Sequence, residues 1–210
     1  MLFSNLVQAN LKTRVLGQQI EYYTRLESTN TEAWELISDG CDDGTVIITD
    51  NQYSGKGRGS RTWSASSDKS LTFSIVIFPD ITAKFSNWIP IITSLALQRA
   101  LSSFSTKVEL KYPNDIMIGQ KKLGGILCES KVSGKKINQA VIGIGINVNE
   151  KVDDFDLAIQ NSATSMQINS GKFYQKERVL AEILNNFETI MDQFPNNIDL
   201  IKSNWEELCN

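Results

Sequence analysis

The 210-residue sequence contains no histidine, and this absence removes several kinds of catalytic site. Serine–histidine and cysteine–histidine nucleophile systems, and metals bound by histidine, are excluded within the chain. Only three cysteines are present, Cys41, Cys128 and Cys209, and they form no CxxC pair. Widely spaced cysteines in odd number indicate a reducing compartment and argue against a disulfide framework or a zinc site. Any chemistry must therefore rest on lysine, arginine, aspartate, asparagine and the main chain.

Long apolar runs and a strong net charge are also missing. No stretch reaches membrane-spanning length, and residues 1–15 lack the apolar run and the cleavage site of a signal peptide. We therefore expect a cytoplasmic protein that does not bind a membrane. The formal net charge is −3, whereas a general nucleic-acid binder is usually basic overall. The hydrophobic content of 41% and the charged content of 21% are those of an ordinary globular protein.

The apolar pattern predicts one α+β domain over residues 1–210, with a mixed, mostly antiparallel sheet flanked by helices. Residues 71–78 are apolar on both faces, which is typical of a central strand. Gly143 and Gly145 fall inside a predicted strand at residues 137–148, where glycine usually marks a bulge or a close approach. The other predicted strands are residues 19–25, 45–49, 107–112, 116–118 and 123–129, and the predicted helices are residues 31–38, 86–104, 175–194 and 198–208.

Residues 55–63 read GKGRGSRTW and place Lys56, Arg58 and Arg61 among glycines. No acidic residue occurs from residue 51 to residue 67. Glycine lets main-chain N–H groups approach a ligand, and arginine donates paired hydrogen bonds to phosphate or carboxylate oxygens. The same composition also suits a solvated basic turn. We call residues 55–63 the basic loop and consider it a candidate anion-binding element.

Further polar residues follow predicted strands, where a rigid sheet would position them. Ser28, Thr29 and Asn30 precede the helix at residues 31–38, and one of them is expected to cap it. None of the patterns is specific alone, because GKGRG matches neither GxxxxGK[ST] nor GxGxxG in its strand–helix context. The other polar residues of this kind are Gln52, Lys111, Asn114, Asp115, Lys121, Lys122 and Asn147.

In combination, however, the segments resemble the signature segments of biotin protein ligases. They read, in chain order, LESTN, Gln52 with GKGRGSRTW, KYPNDI, KKLGGIL and GIGINVN, and they span roughly residues 19–166. The resemblance implies the catalytic fold related to class II aminoacyl-tRNA synthetases. It also implies a ligase that converts biotin and MgATP to biotinyl-5′-AMP and pyrophosphate, and then transfers biotin to a lysine of a biotin carboxyl carrier protein.

The resemblance assigns the charged residues to the reacting groups. Lys122 would reach the biotin carboxylate and the adjoining phosphate, while Arg58 and Lys56, with the main chain at Gly57, close over biotin and the adenylate. The preferred role of Asp115 is to orient the lysines. Holding Mg²⁺ and helping the carrier lysine lose its proton are its alternative roles. These cations would screen the negative charges of the biotin carboxylate and of the ATP phosphates, as a carboxylate that attacks the α-phosphate requires.

The resemblance also assigns the remaining binding residues. Gly125 would leave room for the bicyclic ring, Trp63 would pack on the adenine side, and the loop at residues 150–163 would order over the adenine. The ureido head of biotin is expected to bind Ser28, Thr29, Asn30 and Gln52, whose polar groups match its buried N–H and C=O. Nucleotide contacts are expected from Arg58, Arg61, Trp63, Lys111, Asn114, Lys122 and Asn147.

The sequence departs from the family pattern in three ways. Lys56 stands where the family usually has arginine, so the charge is kept but the bidentate fork is lost. No winged helix precedes LESTN, so DNA binding is not expected. No SH3-like domain follows Trp205, which puts carrier affinity in doubt. Family members also form dimers through the sheet edge, and a homodimer is therefore an open alternative to a monomer.

Two kinds of rival function remain at this point. A lipoate or octanoate ligase of the same superfamily would bind an unbranched acyl chain, and such enzymes lack this basic loop followed by tryptophan. A non-catalytic relative that binds biotin, nucleotide or RNA would use the same cations without turnover. The acidic net charge and the lack of basic residues interleaved with aromatic ones elsewhere disfavour RNA.

Overall fold

The structure, a computed structural model, describes residues 2–59, 61–65 and 68–208. Ser60 of the basic loop and Cys209 lie outside the described residues. The strands are β1 (Ile20–Tyr23), β2 (Val46–Thr49), β3 (Leu71–Ile77), β4 (Ile81–Thr82), β5 (Glu109–Lys111), β6 (Asp115–Ile118), β7 (Lys121–Ser133) and β8 (Lys136–Ile146). The helices are α1 (Ser4–Gln8), α2 (Thr29–Ser38), α3 (Trp88–Ser103), α4 (Met166–Ser170), α5 (Lys176–Met191) and α6 (Ile198–Leu208), with 3₁₀ turns at Ala83–Phe85 and Val152–Asp154.

All eight strands belong to one sheet, in the order β1-β2-β3-β8-β7-β6-β5, with β4 paired to the start of β8. Only the β1–β2 pair is parallel among the described strands, so the predicted mostly antiparallel α+β fold is confirmed. Residues 71–78 were predicted to be central, and β3 lies between β2 and β8 with every residue buried.

Alternation along the central strands gives the sheet two different faces. Phe73 and Ile75 of β3 point into the main core, where α3 and α5 pack. On the opposite face Val76 packs with Ala33 and Ile37 of α2 in a smaller cluster. The small or polar residues Thr72 and Ser74 alternate with the core residues and share this second face. Helix α2 therefore covers one part of the second face, and a cleft opens on the remainder.

Four features differ from the sequence-based expectations. Helices α1 and α4 and the two-residue strand β4 were not predicted, because each is too short to show a clear period. Ser28 occupies the N-cap of α2, but its side chain makes no capping hydrogen bond. The side chain of Gln52 accepts from the N–H of Thr29 at 2.8 Å instead. A residue from a neighbouring loop thus provides the cap that was expected from within the segment 28–30.

None of the helices in residues 2–59, 61–65 and 68–208 has both the length and the hydropathy that a bilayer span requires.

Candidate active site

A cleft opens on the second face of the sheet, beside the N-terminus of α2 and beneath the basic loop. The cleft brings together predicted site residues from distant parts of the chain. Those that line it are Ser28, Thr29, Asn30, Gln52, Lys56, Gly57, Arg58, Arg61, Trp63, Asn114, Asp115, Lys122 and Gly125.

The floor of the cleft is low because two neighbouring strands place glycine side by side. Gly125 of β7 pairs with Gly145 of β8, and Thr72 of β3 pairs with Gly145 from the other side. Asp115 of β6 pairs with Gly125 and ends this row of residues. A Cβ atom at Gly125 would meet nothing closer than Lys122, at 3.5 Å. The predicted room beside Gly125 is therefore present, next to the lysine that is expected to bind the carboxylate.

Side chains approach the other floor glycines closely. A Cβ atom at Gly143 would collide with the side chain of Asn30, and one at Gly145 would collide with the indole of Trp63. The close approach predicted from these glycines is present, although the approaching groups are side chains of the same protein. Gly143 and Gly145 thus let Asn30 and Trp63 settle onto the sheet.

One end of the cleft is neutral and hydrogen-bonded. Asn30, which is buried, accepts from the Ser74 hydroxyl at 2.6 Å through Oδ1 and donates to Glu129 at 2.7 Å through Nδ2. Ser74 and Thr29 hydroxyls lie 2.7 Å apart, and Gln52 Oε1 accepts from the Thr29 N–H. This end can satisfy a buried ligand that carries both N–H and C=O groups.

The other end of the cleft is cationic. Lys122 Nζ donates to Asp115 Oδ1 at 2.6 Å, and the lysine side chain remains 37% exposed toward the cleft. The predicted orienting role of Asp115 has this contact as its geometric basis. Among the described residues, the guanidinium groups of Arg58 and Arg61 make no hydrogen bond or ion pair. Their capacity to bind an anion is therefore unused.

The basic loop folds as a small hairpin over the cleft. Lys56 and Thr62 form an antiparallel bridge, the Gly57 N–H donates to the Arg61 carbonyl, and the Trp63 N–H donates to the Gly55 carbonyl, both at 2.9 Å. The side chain of Lys56 crosses to α2 and donates to Thr31 Oγ1 at 2.8 Å. Lys56 therefore makes a single ammonium hydrogen bond to the helix.

The indole of Trp63 is held on the floor at Gly145, and its Nε1–H is buried without a hydrogen-bond partner in the part of the chain that the structure describes. A buried donor without a partner carries a free-energy cost, which a ligand acceptor could relieve. The predicted packing of Trp63 on adenine stays a prediction.

Two predicted nucleotide residues lie away from the cleft wall. Lys111 is exposed on β5, at the edge of the sheet. Asn147 is buried, and its side-chain Nδ2 donates to the Thr164 carbonyl at 2.9 Å. Asn147 thus ties the end of β8 to the segment before α4, and its nucleotide contact stays a prediction, as does that of Lys111.

A second polar cluster lies at the base of the basic loop. Lys176 of α5 pairs with Asp50 at 3.5 Å, and both side chains are less than a tenth exposed. Glu150 is fully buried and accepts from the Ser70 hydroxyl. Burial raises the pKa of Glu150 to about 7, while the hydrogen bond from Ser70 opposes this shift. The cluster anchors the residues on either side of the basic loop to α5 and to the segment after β8.

The sequence-based analysis did not identify several residues around the cleft. Thr72 and Ser74 were treated only as part of an apolar strand, although polar residues at alternate positions in LTFSIVIF signal a second, polar environment. Leu127 and Ile144 also line the cleft. Glu129 was assigned only to a strand, and nothing near it in the sequence indicates its contact with Asn30.

Comparisons with known proteins agree with this geometry. The model of the biotin/lipoate A/B protein ligase family matches residues 22–147. The chain is 32% identical to the bifunctional ligase/repressor BirA of Bacillus spizizenii over 202 residues, covering 95% of this chain and 62% of that protein. It is 26% identical to the biotin--[acetyl-CoA-carboxylase] ligase of Mycobacterium tuberculosis over 200 residues, covering 90% of this chain and 72% of that protein.

A solved structure with the same fold is the biotin protein ligase from Aquifex aeolicus in complex with biotin and ATP. It superimposes with a TM-score of 0.72 and 28% identity, covering 86% of this chain and 73% of that one. The chain spans 62% of the length of the BirA protein that it matches. The family model covers more than half of the chain, including the basic loop, Asp115 and Lys122. The chain belongs to the biotin/lipoate A/B protein ligase family.

Proposed function

We propose that the protein activates biotin with ATP to biotinyl-5′-AMP and transfers the biotinyl group to a lysine of a biotin carboxyl carrier protein. Relatives along nearly the whole chain support this reaction, because one is named a biotin--[acetyl-CoA-carboxylase] ligase and another is a biotin protein ligase in complex with biotin and ATP. The proposal extends their activity to a chain that spans part of the length of these relatives.

The observation that carries the proposal is the polarity of the cleft. A neutral end at Asn30 and Gln52 is joined to a cationic end at Lys122 by a floor of glycines. Biotin has the matching arrangement, with a neutral ureido ring at one end and a carboxylate at the other. The carboxylate and the α-phosphate of ATP would meet at Lys122, where their repulsion is reduced by the ammonium group.

The charged residues have separable roles in this proposal. Lys122, oriented by Asp115, binds the biotin carboxylate and the adjoining phosphate. Arg58, Lys56 and the Gly57 main chain close over the adenylate, and Arg61 binds the ATP phosphates. Asp115 also assists the incoming carrier lysine in this proposal, which is supported by its being the single acidic side chain among the described residues that line the cleft.

Mg²⁺ enters the proposal as the partner of ATP. The described residues contain no group of three or more carboxylates, cysteines or histidines that could hold a metal. Magnesium is commonly held by one or two carboxylates together with substrate phosphates, and Asp115 could supply that single ligand. The ion supplies charge neutralisation on the phosphates when bound.

The remaining assignments belong to the same proposal. The ureido ring binds Ser28, Thr29, Asn30 and Gln52, and Gly125 accommodates the bicyclic ring. Trp63 and Asn114 contact the nucleotide. Cytoplasmic location is supported by the free thiols of Cys41 and Cys128. A homodimer through the sheet edge, and the absence of DNA binding, stay predictions.

The rival within the family is a lipoate or octanoate ligase. An unbranched acyl chain offers no partner for the hydrogen-bonding groups of Asn30, Gln52 and Thr29. Burying those groups against methylene units would cost free energy for each one left unpaired, so the cleft favours biotin. The non-catalytic alternative differs from the proposal in turnover, because Lys122 would bind the biotin carboxylate in both.

The test is exchange of labelled pyrophosphate into ATP with purified protein. We expect exchange that depends on biotin and is absent with lipoate or octanoate. Subsequent addition of a biotin carboxyl carrier protein should yield biotin on its acceptor lysine, detected by mass spectrometry. Exchange that appears with lipoate or octanoate but not with saturating biotin would overturn the proposal, and no exchange with any acid would favour the non-catalytic alternative.

A further inference from the structure

Glu129 of β7 lies outside the cleft wall and forms a hydrogen bond with Asn30, which lies on it. Its Oε2 accepts from Asn30 Nδ2 at 2.7 Å and from Trp34 Nε1 at 3.3 Å. An asparagine amide has an oxygen that accepts and a nitrogen that donates, and the side chain can present either by turning over. An ionised carboxylate only accepts. The contact with Glu129 therefore requires the NH₂ group of Asn30 to face β7.

The opposite side of Asn30 is fixed as a consequence. Asn30 Oδ1 faces Ser74 Oγ at 2.6 Å, so the single hydroxyl proton of Ser74 must be donated to it. Ser74 Oγ also lies 2.7 Å from Thr29 Oγ1, whose own hydroxyl donates to Gln52 Oε1 at 3.3 Å. The hydrogen bonds of Asn30 therefore run in one direction, from Ser74 through Asn30 to Glu129.

The same logic fixes Gln52. Its Oε1 accepts from the Thr29 N–H at 2.8 Å, which leaves Nε2 as a donor on the other side of the amide. Asn30 Oδ1 is thus fixed as an acceptor at the buried end of the cleft, with one lone pair used by Ser74, whereas Gln52 Nε2 lies against Gly55. A ureido ring carries N–H groups that complement such an acceptor.

We infer that Glu129 is a positioning residue that sets ligand specificity by holding the Asn30 amide in one orientation. The inference rests on the proposed function for the identity of the ligand. Without the carboxylate, only the long contact of Asn30 Nδ2 with the Leu127 carbonyl, at 3.4 Å, would hold the amide. The amide could then turn over and place its NH₂ against Ser74, which can reverse its own proton in response. The cleft would then lose its acceptor for a ligand N–H while the fold kept the same volume and charge at Lys122.

Glu129 could instead serve only to fasten α2 to β7, because Trp34 is also on α2. Trp34→Phe removes that second bond and leaves the Asn30 contact, so it is the matched control. Glu129→Gln keeps an oxygen that can accept from Asn30, whereas Glu129→Leu has a similar size and accepts nothing. A fastening role predicts that both leucine and phenylalanine variants lower thermal stability without changing the choice of ligand.

The first measurement is calorimetric binding of biotin and, separately, of ATP to the whole chain. We expect Glu129→Leu to weaken biotin binding by about 10- to 100-fold, Glu129→Gln by less than about 5-fold, and Trp34→Phe by less than about 2-fold, with ATP affinity retained in all three. Equal loss of biotin and ATP affinity in Glu129→Leu, or no loss of either, would overturn the inference.

A second measurement needs no ligand, so it separates this inference from the proposed function. The side-chain NH₂ resonances of Asn30, assigned by their loss in Asn30→Ser, report its partner in ¹H–¹⁵N spectra. The carboxylate contact should shift one proton downfield in the wild type and in Trp34→Phe, and this shift should vanish in Glu129→Leu. Unchanged resonances in Glu129→Leu would contradict the orienting role. Absence of biotin binding by a wild-type protein that shows the shift would instead refute the proposed function and the ligand named here.

Discussion

The basic loop and the segment at residues 147–165 leave the sheet at the same end of the central strands β2, β3 and β8, but they are held in different ways. In the basic loop, Lys56 makes the one side-chain bond to α2, and the described structure gives Arg58 and Arg61 no charged partner. In the segment, Asn147 donates to Thr164, Ser165 donates to the Glu150 carbonyl at 2.6 Å, and Glu150 is fully buried.

This difference indicates that the basic loop is a ligand-binding element and that the segment at residues 147–165 is a fixed support, which we call the platform. A region with few buried contacts opens at low free-energy cost, whereas a region with many buried bonds opens only with much of the fold. We therefore expect the basic loop to respond to biotin and nucleotide, and the segment at residues 147–165 to keep its place. The expectation that residues 150–163 order over adenine stays untested, although Glu150 and Ser165 already anchor this segment.

The largest effect is expected at the cationic end of the cleft. Lys122→Ala should lower biotin-dependent pyrophosphate exchange by about 100-fold or more, because it removes the ammonium group between two anions. Lys121→Ala is the matched control, since the neighbouring lysine is exposed and does not line the cleft. Exchange within about 2-fold of wild type in Lys122→Ala would show that this lysine does not serve the chemical step.

A smaller effect is expected at the tip of the basic loop. Arg58→Gly should speed release of biotinyl-5′-AMP by about 10- to 100-fold, because a charged hydrogen bond to the adenylate is lost. Arg58→Lys should release biotinyl-5′-AMP at a rate between those of the wild type and Arg58→Gly, since lysine keeps the charge but loses the paired hydrogen bonds. Release is measured by stopped-flow fluorescence of preformed complex. If Arg58→Gly and Lys122→Ala instead caused equally small changes in adenylate release and in pyrophosphate exchange, the basic loop would not be the element that retains the adenylate.

Replacing the unusual lysine of the loop sharpens the same comparison. Lys56→Arg should slow release of biotinyl-5′-AMP by about 3- to 10-fold, because a guanidinium can donate two parallel hydrogen bonds. An alternative is that Lys56 only holds the basic loop in its conformation, through its contact with Thr31. In that case Thr31→Val would change release as much as Lys56→Arg, whereas we expect less than about 2-fold.

The smallest effect on chemistry is expected at Glu150, in the platform. Burial raises its pKa to about 7, above the value in an unfolded chain. Its contribution to stability is therefore complete below the unfolded pKa and is lost as pH rises through about 7. Glu150→Gln does not titrate, so its unfolding free energy should gain about 2–3 kcal/mol relative to wild type between pH 5 and pH 8.

Urea unfolding at several pH values between these limits checks this prediction, with exposed Asp153→Asn as the control. The charged groups acting on Glu150 include Asp154, which strengthens the upward shift, and Lys176, which opposes it. Parallel pH profiles for wild type and Glu150→Gln would contradict a buried neutral carboxyl. Pyrophosphate exchange at pH 6 should stay within about 2-fold of wild type, because Glu150 does not line the cleft.

The elements that could be predicted from the sequence are those with a local signal. A run that is apolar on both faces identified the central strand at residues 71–78, and the spacing of apolar residues identified α5. Gly143 and Gly145 signalled a close approach because glycine is unfavourable within a strand. The resemblance of several short segments then collected most of the residues that line the cleft.

The rest depends on contacts between distant residues. Glu129 reaches Asn30 across a sequence separation of 99, and Ser74 reaches it across 44. Neither pairing has a local pattern. Asn147 was assigned to nucleotide binding from its motif, but its amide is directed to Thr164, a partner 17 residues away in a loop without regular structure. Motif membership therefore predicted position near the site better than it predicted the direction of a side chain.

The most direct test of the account is isolation of the enzyme-bound acyl-adenylate. The wild-type protein is incubated with biotin, Mg²⁺ and ATP labelled at the α-phosphate, passed through a desalting column and analysed by mass spectrometry. The account predicts close to one equivalent of biotinyl-5′-AMP per active chain, strongly reduced in Lys122→Ala and retained in Lys121→Ala. A protein that retains no adenylate with biotin, but forms one with lipoate or octanoate, would contradict it.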